Sequence, residues 1–594
     1  MAIEELPIFC YYNKQRFLQF GAMDCANWYG VSVEDTKKQQ ALYPAMGRKH
    51  ITFQGVNRLI FTQEPRQVFK TLNYIYVIDG TRVIQYDRFY QAKTLGNISL
   101  TGEVWFDFLP VGNVIYALLT DETNVYVITE NGSSVTMGVV TDTNKPANPI
   151  YVAAFGNRFV VSSRDTPDFK LTQINLGGPP PVDLSKVFTI PDGASGFPLF
   201  ARASGIIRQM AVLHTQLYIF NDYTTDIWSN VATQITVAGV TREFPWKLNT
   251  SYNWDYGIND PYSLAVDFGR MCWLAQNTDG LVAFMVSTGQ QPEDFSTQAI
   301  NVLLENSTDG EDLSPFLAEN SQAFLYQYEN TIFYRVSAGP FIQNDTLDDT
   351  THANSLEYNF ETKTWARVIE LNGERNRIQK HVYFNQKHLV TVEDDGAMYQ
   401  MAGNIYYNEL LNPVQMDHQA ANAFLKYPMR YELTTKQIFL PDYAEFIDDY
   451  VEIDFVFGDQ TFYRTNAPFL NTVYLETEDS TPENPIYIVT EDSTPENPIF
   501  VIAEDGNTPT FDDNHYYALF KPHIELYYSD DGGVTFTTAD LREFSPLGQY
   551  RWRMRWYELS ISRNRCYRLV CVSSAPIVIL GAVRNTRRAS GGAN

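Results

Sequence analysis

A short apolar run, a turn and a second apolar run recur along most of this chain. "YIYVIDGTRVIQYD" turns at Asp79-Gly80, "VYVITENGSSVTMG" at Asn131-Gly132, "CWLAQNTDGLVAFMV" at Asp279-Gly280 and "HLVTVEDDGAMYQM" at Asp395-Gly396. Asp-Gly and Asn-Gly between such runs mark β-hairpins, because both residues tolerate the positive φ that a type I′ turn demands. "GNRFVVSSRDTPDFKLTQI", "HTQLYIFNDYTTDIWSN" and "NTIFYRVSAGP" with "SLEYNFETKTWARV" repeat the pattern more loosely. From Gly80 to Gly396 the units return at intervals of roughly 40 to 60 residues, the period of a β-propeller with one four-stranded blade per unit. Six or seven blades fit. A string of unrelated hairpins in sandwiches is the competing arrangement.

Two stretches carry a helical pattern, "VEDTKKQQALYP" (Val33 to Pro44) and "NPVQMDHQAANAFLKYP" (Asn412 to Pro428). The second lies where the repeats stop and reads as a linker. Longer strands follow: "YVEIDFVFG", "HIELYYSDDGGVTFTT" and "YRWRMRWYELSISRNRCYRLVCVSSAPIVILGAVRN". Arg551, Arg553 and Arg555 alternate with Trp552, Met554 and Trp556, a period of two that turns an apolar face inward and a basic face outward. The resulting division is all-β: an arm over residues 1–50 that packs on the ring or on the C-terminal domain, a propeller over 51–405, and a linker with helical pattern over 406–430. An antiparallel sandwich over 431–585 carries an insertion at 474–510, and a disordered basic tail covers 586–594.

Composition supports the strands. Aromatic residues make up 14% of the 594, and aromatics favour the pleated sheet. No apolar run approaches the roughly 20 residues of a membrane-spanning helix, so stable membrane insertion is not expected. The five cysteines (10, 25, 272, 566 and 571) are odd in number and lack CxxC spacing, which predicts no disulfide framework and fits a reducing compartment. Cys566 and Cys571 are five apart on one strand and read as buried thiols facing opposite sides. The formal net charge is −26, which excludes phosphate binding over the general surface but suits a wall that DNA passes without adhering.

Catalytic chemistry is not legible. The eight histidines show no metal spacing, and neither a phosphate-cradling loop nor a GxSxG elbow occurs. The expectation is no catalytic, cofactor-binding or metal-ligating residue, and no cofactor. Neighbouring carboxylates such as Asp448-Asp449 and Asp394-Asp395 point opposite ways on a strand and make poor acid–base pairs. "SDDGGVTF" (Ser529 to Phe536) has the form of an Asp-box, a hairpin turn whose Ser and Asp side chains tie down the loop backbone. It resembles the boxes of sialidases and other carbohydrate-active propellers, where they are structural.

"YLETEDSTPENPIYIVTEDSTPENPIFVIAEDG" (Tyr474 to Gly506) repeats a 13-residue unit carrying Glu478-Asp479, Glu491-Asp492 and Glu504-Asp505. Strand-like "IYIVT" and "IFVIA" alternate with proline-stiffened turns. A projecting loop for gating or docking, a duplicated loop without function, and a calcium site through Asp479, Asp492 and Asp505 all remain open.

Three ordered stretches carry a resemblance. They are "NWYGVSVEDTKKQQALYPAMGRKHI", then "HTQLYIFNDYTTDIWSN" with "YGINDPYSLAVDFGRMCWLAQNTDGLVAFMVSTGQQPEDFSTQAINVLL", and the ending "IELYYSDDGGVTFTTADLREFSPLGQYRWRMRWYELSISRNRCYRLVCVSSAPIVILGAVR". Together they resemble the packaged-DNA stabilisation proteins, the tail hub or nozzle, of short-tailed bacteriophages. The resemblance implies a structural virion protein assembled in the host bacterial cytoplasm. It implies a homo-hexameric ring below the portal and adaptor proteins that retains packaged DNA and forms its ejection channel. Tail spikes or fibres and a needle or plug dock on such a ring, and genome DNA passes its lumen without specific binding. Six copies would carry about −150 charges. The alternative is a carbohydrate-binding or glycan-cleaving tail protein with a propeller.

Overall fold

The computed structural model describes residues 2–14, 22–32, 40–53, 56–189, 199–200, 205–237, 240–249, 253–305, 321–337, 355–411, 424–440, 442–457, 523–543, 551–557 and 559–589. The acidic repeat and the rest of the insertion at 474–510 lie outside them.

Five separate antiparallel four-stranded sheets and two four-stranded arms of a larger sheet form the seven blades of a β-propeller. From the axis outward, blade 1 runs Gln67–Lys70, Ile75–Asp79, Arg82–Tyr86 and Ala92–Asn97. Blade 2 is Trp105–Val111, Val114–Thr120, Val125–Asn131 and Ser134–Val139; blade 3 is Pro149–Phe155, Arg158–Ser163, Asp168–Leu171 and Leu199–Phe200. Blade 4 is Gln209–Leu213, Gln216–Phe220, Thr225–Ser229 and Lys247–Leu248; blade 5 is Ala265–Asp267, Arg270–Gln276, Val282–Ser287 and Glu293–Asp294. Blade 6 is Gln322–Tyr328, Thr331–Ser337, Ser355–Asn359 and Thr364–Arg367. Blade 7 takes three strands from one part of the chain, Ile378–Phe384, Lys387–Val392 and Met398–Ala402, and its outermost strand, Gly47–Phe53, from far upstream. The upstream strand latches the ring.

Strand alternation explains the ring. Along Ile75-Tyr76-Val77-Ile78 every side chain is buried. Ile75 and Val77 join blade 7 residues Val382, Leu389 and Met398 in one core cluster, while Tyr76 and Ile78 join Ala117 and Leu119 of blade 2 in another. Tyr116 and Leu118 then face Val152 and Val161 of blade 3. The same handover continues through blades 3–4, 4–5, 5–6 and 6–7, so each blade is buried on both faces and the seams close on themselves. Continuous apolar strands are what two buried faces require.

The sandwich is not simply C-terminal. One sheet has the order Trp28–Ser32, Gln40–Pro44, Ile577–Arg588, Phe446–Phe457, Arg551–Tyr557, with Ala2–Leu6 added beside Ile577–Arg588. The facing sheet runs Ala22–Ala26, Phe424–Thr434, Cys566–Ser573, His523–Ser529, Thr537–Glu543. Their shared core holds Trp28, Tyr431, Ile453, Phe455, Trp556 and Ile579. Residues 1–50, expected as an arm, thus supply strands to both domains, and the propeller is an insertion within the sandwich. Gly47 sits at the handover, where an added Cβ would lie 2.4 Å from the Tyr407 carbonyl oxygen, so only glycine fits.

Further expectations are corrected. Gln40–Pro44 is a strand paired with Trp28–Ser32, not the end of a helix. In the linker, Tyr407–Leu411 and Phe424–Thr434 are strands paired with each other; Met429, Tyr431 and Leu433 are buried at alternate positions, a period of two that the helical reading of the preceding residues masked. Among the described residues an α-helix forms at Gln298–Glu305, which the pattern did not signal; residues 33–39 and 412–423 of the two expected helical stretches lie outside those residues. The basic tail begins as strand, since Thr586 pairs with Ala2 and its arginines meet carboxylates: Arg587–Asp449 at 2.8 Å and Arg588–Asp442 at 2.8 Å. Cys10 and Cys25 form a disulfide with Cα atoms 5.1 Å apart, against the expectation of none. The N-terminal strands fold back over the sandwich core and bring the two cysteines together, which their 15-residue spacing did not signal. Cys566 and Cys571 are buried thiols, as expected, and Cys272 is another.

Candidate functional site

The inner strands of the propeller run around an axis, and side chains from five blades meet at one of its mouths. Each comes from the beginning of an inner strand or the loop just before it, so all lie on the same face. Trp105 opens the inner strand of blade 2. It stacks on Tyr262, from the Pro261–Ser263 turn that precedes blade 5, with ring centroids 5.0 Å apart and planes at 20°. It meets Tyr151 of blade 3 edge-on at 5.1 Å, and its Nε1 donates to Glu103 at 3.2 Å. Residues of blades 2 and 5 stand three places apart in a ring of seven, so they meet only across the axis.

The turn bearing Tyr262 is anchored from below. Asp260 is fully buried and accepts from the Tyr262 N–H at 2.9 Å and the Ser321 N–H at 2.7 Å, the latter at the start of blade 6. The Gln209 side chain of blade 4 donates to the Pro261 carbonyl at 3.3 Å. Burial, aided by the charge of Glu103 and opposed by the Ser321 and Tyr262 hydrogen bonds, pushes the Asp260 carboxyl up to about 7. Burial also raises the Tyr262 phenol, so it stays neutral. Among the described residues these groups satisfy one another across the mouth.

The rest of the sequence-level chemistry is structural. In the Asp-box, the Ser529 hydroxyl donates to Asp531 at 2.6 Å, the Gly533 N–H donates to Ser529 at 2.8 Å, and the Val534 and Thr535 N–H groups donate to Asp531 at 3.0 Å. Burial pushes the Asp531 carboxyl up, but these bonds and those from Thr535 prevail and hold it at about 2. The neighbouring Asp530 accepts from buried Arg565 at 2.8 Å, and Arg565 lies beside fully buried Asp448, which Tyr567 and Arg584 also approach. The box therefore braces one end of the sandwich. Replacing Asp531 with alanine is expected to lower stability by about 1–2 kcal/mol in denaturant melts, for several lost charged hydrogen bonds in an exposed loop, without changing the oligomeric state.

Asp448 and Asp449 do point apart: Asp448 is buried, while Asp449 pairs with exposed Arg587. His381 and His388 lie 3.0 Å apart between blades 6 and 7, stacked near Phe324, with both imidazoles pushed down by burial first. No spacing rule signalled that pair, since strand pairing made it. Among the described residues no group of three or more His, Cys, Asp or Glu could hold a metal ion. The candidate calcium ligands Asp479, Asp492 and Asp505 lie outside those residues.

Arginines across the surface are matched locally by carboxylates: Arg208 with Asp222 at 2.6 Å, Arg551 with Asp454 at 2.6 Å, Arg542 with Asp540 at 2.8 Å, and Arg164 with Glu122.

No family model and no curated protein matches the chain. Solved structures similar in outline include a streptogramin B lyase (6% identity, 60% of this chain and 97% of that one, TM-score 0.32). A virginiamycin B lyase from Staphylococcus aureus (6%, 60% and 98%, 0.31) and a nidogen/laminin complex (11%, 52% and 94%, 0.25) are others. At such scores the architecture rests on the chain's own sheets. They define a seven-bladed β-propeller inserted in a β-sandwich.

Proposed function

We propose that the chain is a structural virion protein, the tail hub or nozzle of a short-tailed phage. Several copies, six by the resemblance, close into a ring below the portal and adaptor proteins, retain packaged DNA and form its exit channel. Spikes or fibres and a needle or plug dock on this ring. The observation that carries the reading is the filled axis in a strongly acidic protein: with Trp105 and Tyr262 stacked across the propeller mouth, the propeller's own axis is no conduit for a duplex. A channel has to lie between copies, and a net −26 per copy repels phosphate from its wall. The glycan-cleaving alternative draws less support, because its one motif, the Asp-box, is spent on bracing Arg565.

Electron microscopy of the purified protein tests the reading: closed rings with a central opening are expected, and monomers alone at every concentration oppose it. Mobility-shift titration with duplex DNA is expected to show negligible binding at about 0.15 M salt, where the screening length is about 8 Å. Tight binding that weakens steeply with salt would remove the repelling-channel idea.

A further inference from the structure

We propose that the seam between blades 6 and 7 is a proton-operated joint: protons taken up by the His381–His388 pair part the two blades and loosen the sandwich that packs against them. The proposal goes beyond the ring reading and does not need it. His381 lies on the inner strand of blade 7 and His388 on the strand beside it, with rings 5.2 Å apart and planes at 24°. The His381 Nε2 and the His388 Nδ1 share one hydrogen bond at 3.0 Å. His388 also donates to the Gln327 carbonyl of blade 6, which leaves its Nδ1 as the acceptor and the His381 Nε2 as the donor. A proton on the His388 Nδ1 therefore sets two N–H groups against each other. His381 restores the bond by shifting to its other tautomer; a second proton removes that remedy and puts two like charges side by side.

The surroundings oppose that charge. His381 stacks on Phe324 of blade 6 at 4.7 Å, while Tyr326 of blade 6 and Tyr383 of blade 7 meet His388 at 5.8 and 4.8 Å. Lys70 reaches in from blade 1, its Nζ 3.1 Å from the Tyr383 carbonyl, and buried Arg335 stands on the blade 6 side; Lys387 precedes His388. Glu357 beside Arg335 already accepts from that guanidinium at 2.8 Å and from Tyr326 at 2.6 Å. The other carboxylates around the seam also have partners: Glu329 with Tyr328 at 2.9 Å, Asp395 with Tyr399 at 2.7 Å and Glu409 with His50 at 2.5 Å. Among the described residues, the histidines paired with carboxylates are His50 and His523. Burial, then His388, Lys70 and Arg335, keep His381 neutral; at His388 burial and Lys70 outweigh the Gln327 bond. The seam's core cluster holds Phe324 and Phe333 of blade 6, Val390 and Met401 of blade 7, and Tyr29 of the sandwich. Tyr29 meets Phe333 at 5.5 Å and donates to Glu329 at 3.3 Å, so parting the blades also frees the sandwich.

The test is amide hydrogen exchange on the full chain between pH 7 and 5.5, corrected for the intrinsic pH dependence of exchange. A histidine held neutral by the fold leaves stability full above its free pKa of about 6.5, and stability falls as pH drops below that, because the opened state binds protons that the closed one refuses. Opening of strands 322–328 and 378–392 is therefore expected to rise by roughly tenfold for each histidine over this range. The blade 2 strands 114–131 serve as the control and should not respond. Corrected exchange at the seam that stays flat overturns the proposal. His381→Gln and His388→Gln combined should abolish the response, and a double variant as acid-sensitive as the wild type overturns it, since some other group then takes up the protons. Should the double variant not fold, His388→Gln alone is read in the same way: about half the logarithmic response is expected, and an undiminished response overturns the joint.

Discussion

Trp273→Ala is expected to cost about 3–5 kcal/mol, the range for removing a fully buried large aromatic side chain. Trp273 has no exposed surface and stands in the seam between blades 4 and 5. It stacks on Trp254 at 5.6 Å with planes 10° apart, and meets Phe220 at 5.4 Å. Its Nε1 donates to the Gly257 carbonyl at 3.0 Å. That carbonyl belongs to a segment wedged against Asn221 and Asp222, where an added Cβ would lie 2.3 Å from the Asn221 oxygen. Neighbours so tightly placed collapse little into a void, which puts the cost at the upper end. Urea melts monitored by circular dichroism measure it. Tyr223→Ala in the adjoining blade 4, at a side chain 49% exposed, is the control and should stay within about 0.5 kcal/mol. A Trp273→Ala protein as stable as that control would mean that the blade seams do not hold the ring.

The blades were legible because their signal is local. Asp79-Gly80 and Asn131-Gly132 do connect adjacent antiparallel strands. In both, glycine alone takes positive φ, 61° and 59°, so the turns differ from the type I′ geometry expected of them. Turns with two consecutive positive-φ residues occur instead at Gly156-Asn157, Phe268-Gly269, Glu329-Asn330 and Asn385-Gln386. Phe268, Glu329 and Gln386 are poor advertisements for such a turn; strand pairing on either side imposes the conformation. Asp395-Gly396 also lies in a hairpin loop, the one joining Lys387–Val392 to Met398–Ala402, with the positive φ at Asp394. The Asp395 carboxylate faces inward, accepting from Tyr399 at 2.7 Å and the Leu411 N–H at 3.0 Å.

What could not be read is long-range. Ala2 pairs with Thr586, and Gly47–Phe53 closes a blade whose other strands begin at Ile378. Each segment looks unremarkable alone, since a strand edge carries no address for a partner hundreds of residues away. The filled mouth is illegible for the same reason: Trp105, Tyr151 and Tyr262 come from separate repeats, and only the ring's curvature brings them together. The clamped ends of the sandwich follow suit, because the Asp-box was visible as a turn while its hold on Arg565 depended on a strand 35 residues further on.

Asp24→Ala is expected to destabilise the junction of sandwich and propeller by about 3–5 kcal/mol, the cost of removing one partner from a buried ion pair. Asp24 is 2% exposed on strand Ala22–Ala26. The Arg367 guanidinium of blade 6 grips it with two bonds, at 2.8 and 2.6 Å, and Lys14 Nζ lies 2.8 Å away. Glu432 shares Arg367 at 3.0 Å but is left with only part of that charge when Asp24 is gone. Burial raises the Asp24 carboxyl; Arg367 and Lys14 outweigh it and hold the group well below the ordinary carboxylate range. A carboxyl depressed on folding contributes stability that is full above its unfolded pKa, about 3.9, and is lost as pH falls through the folded value. The stability gap between wild type and Asp24→Ala should therefore be level from about pH 5 to 8 and narrow below about pH 4. Thermal melts across that range measure both the size and the slope. A gap that stays constant or widens on acidification would show that the pair is not ionised in the folded protein, and that Asp24 holds the junction by packing instead.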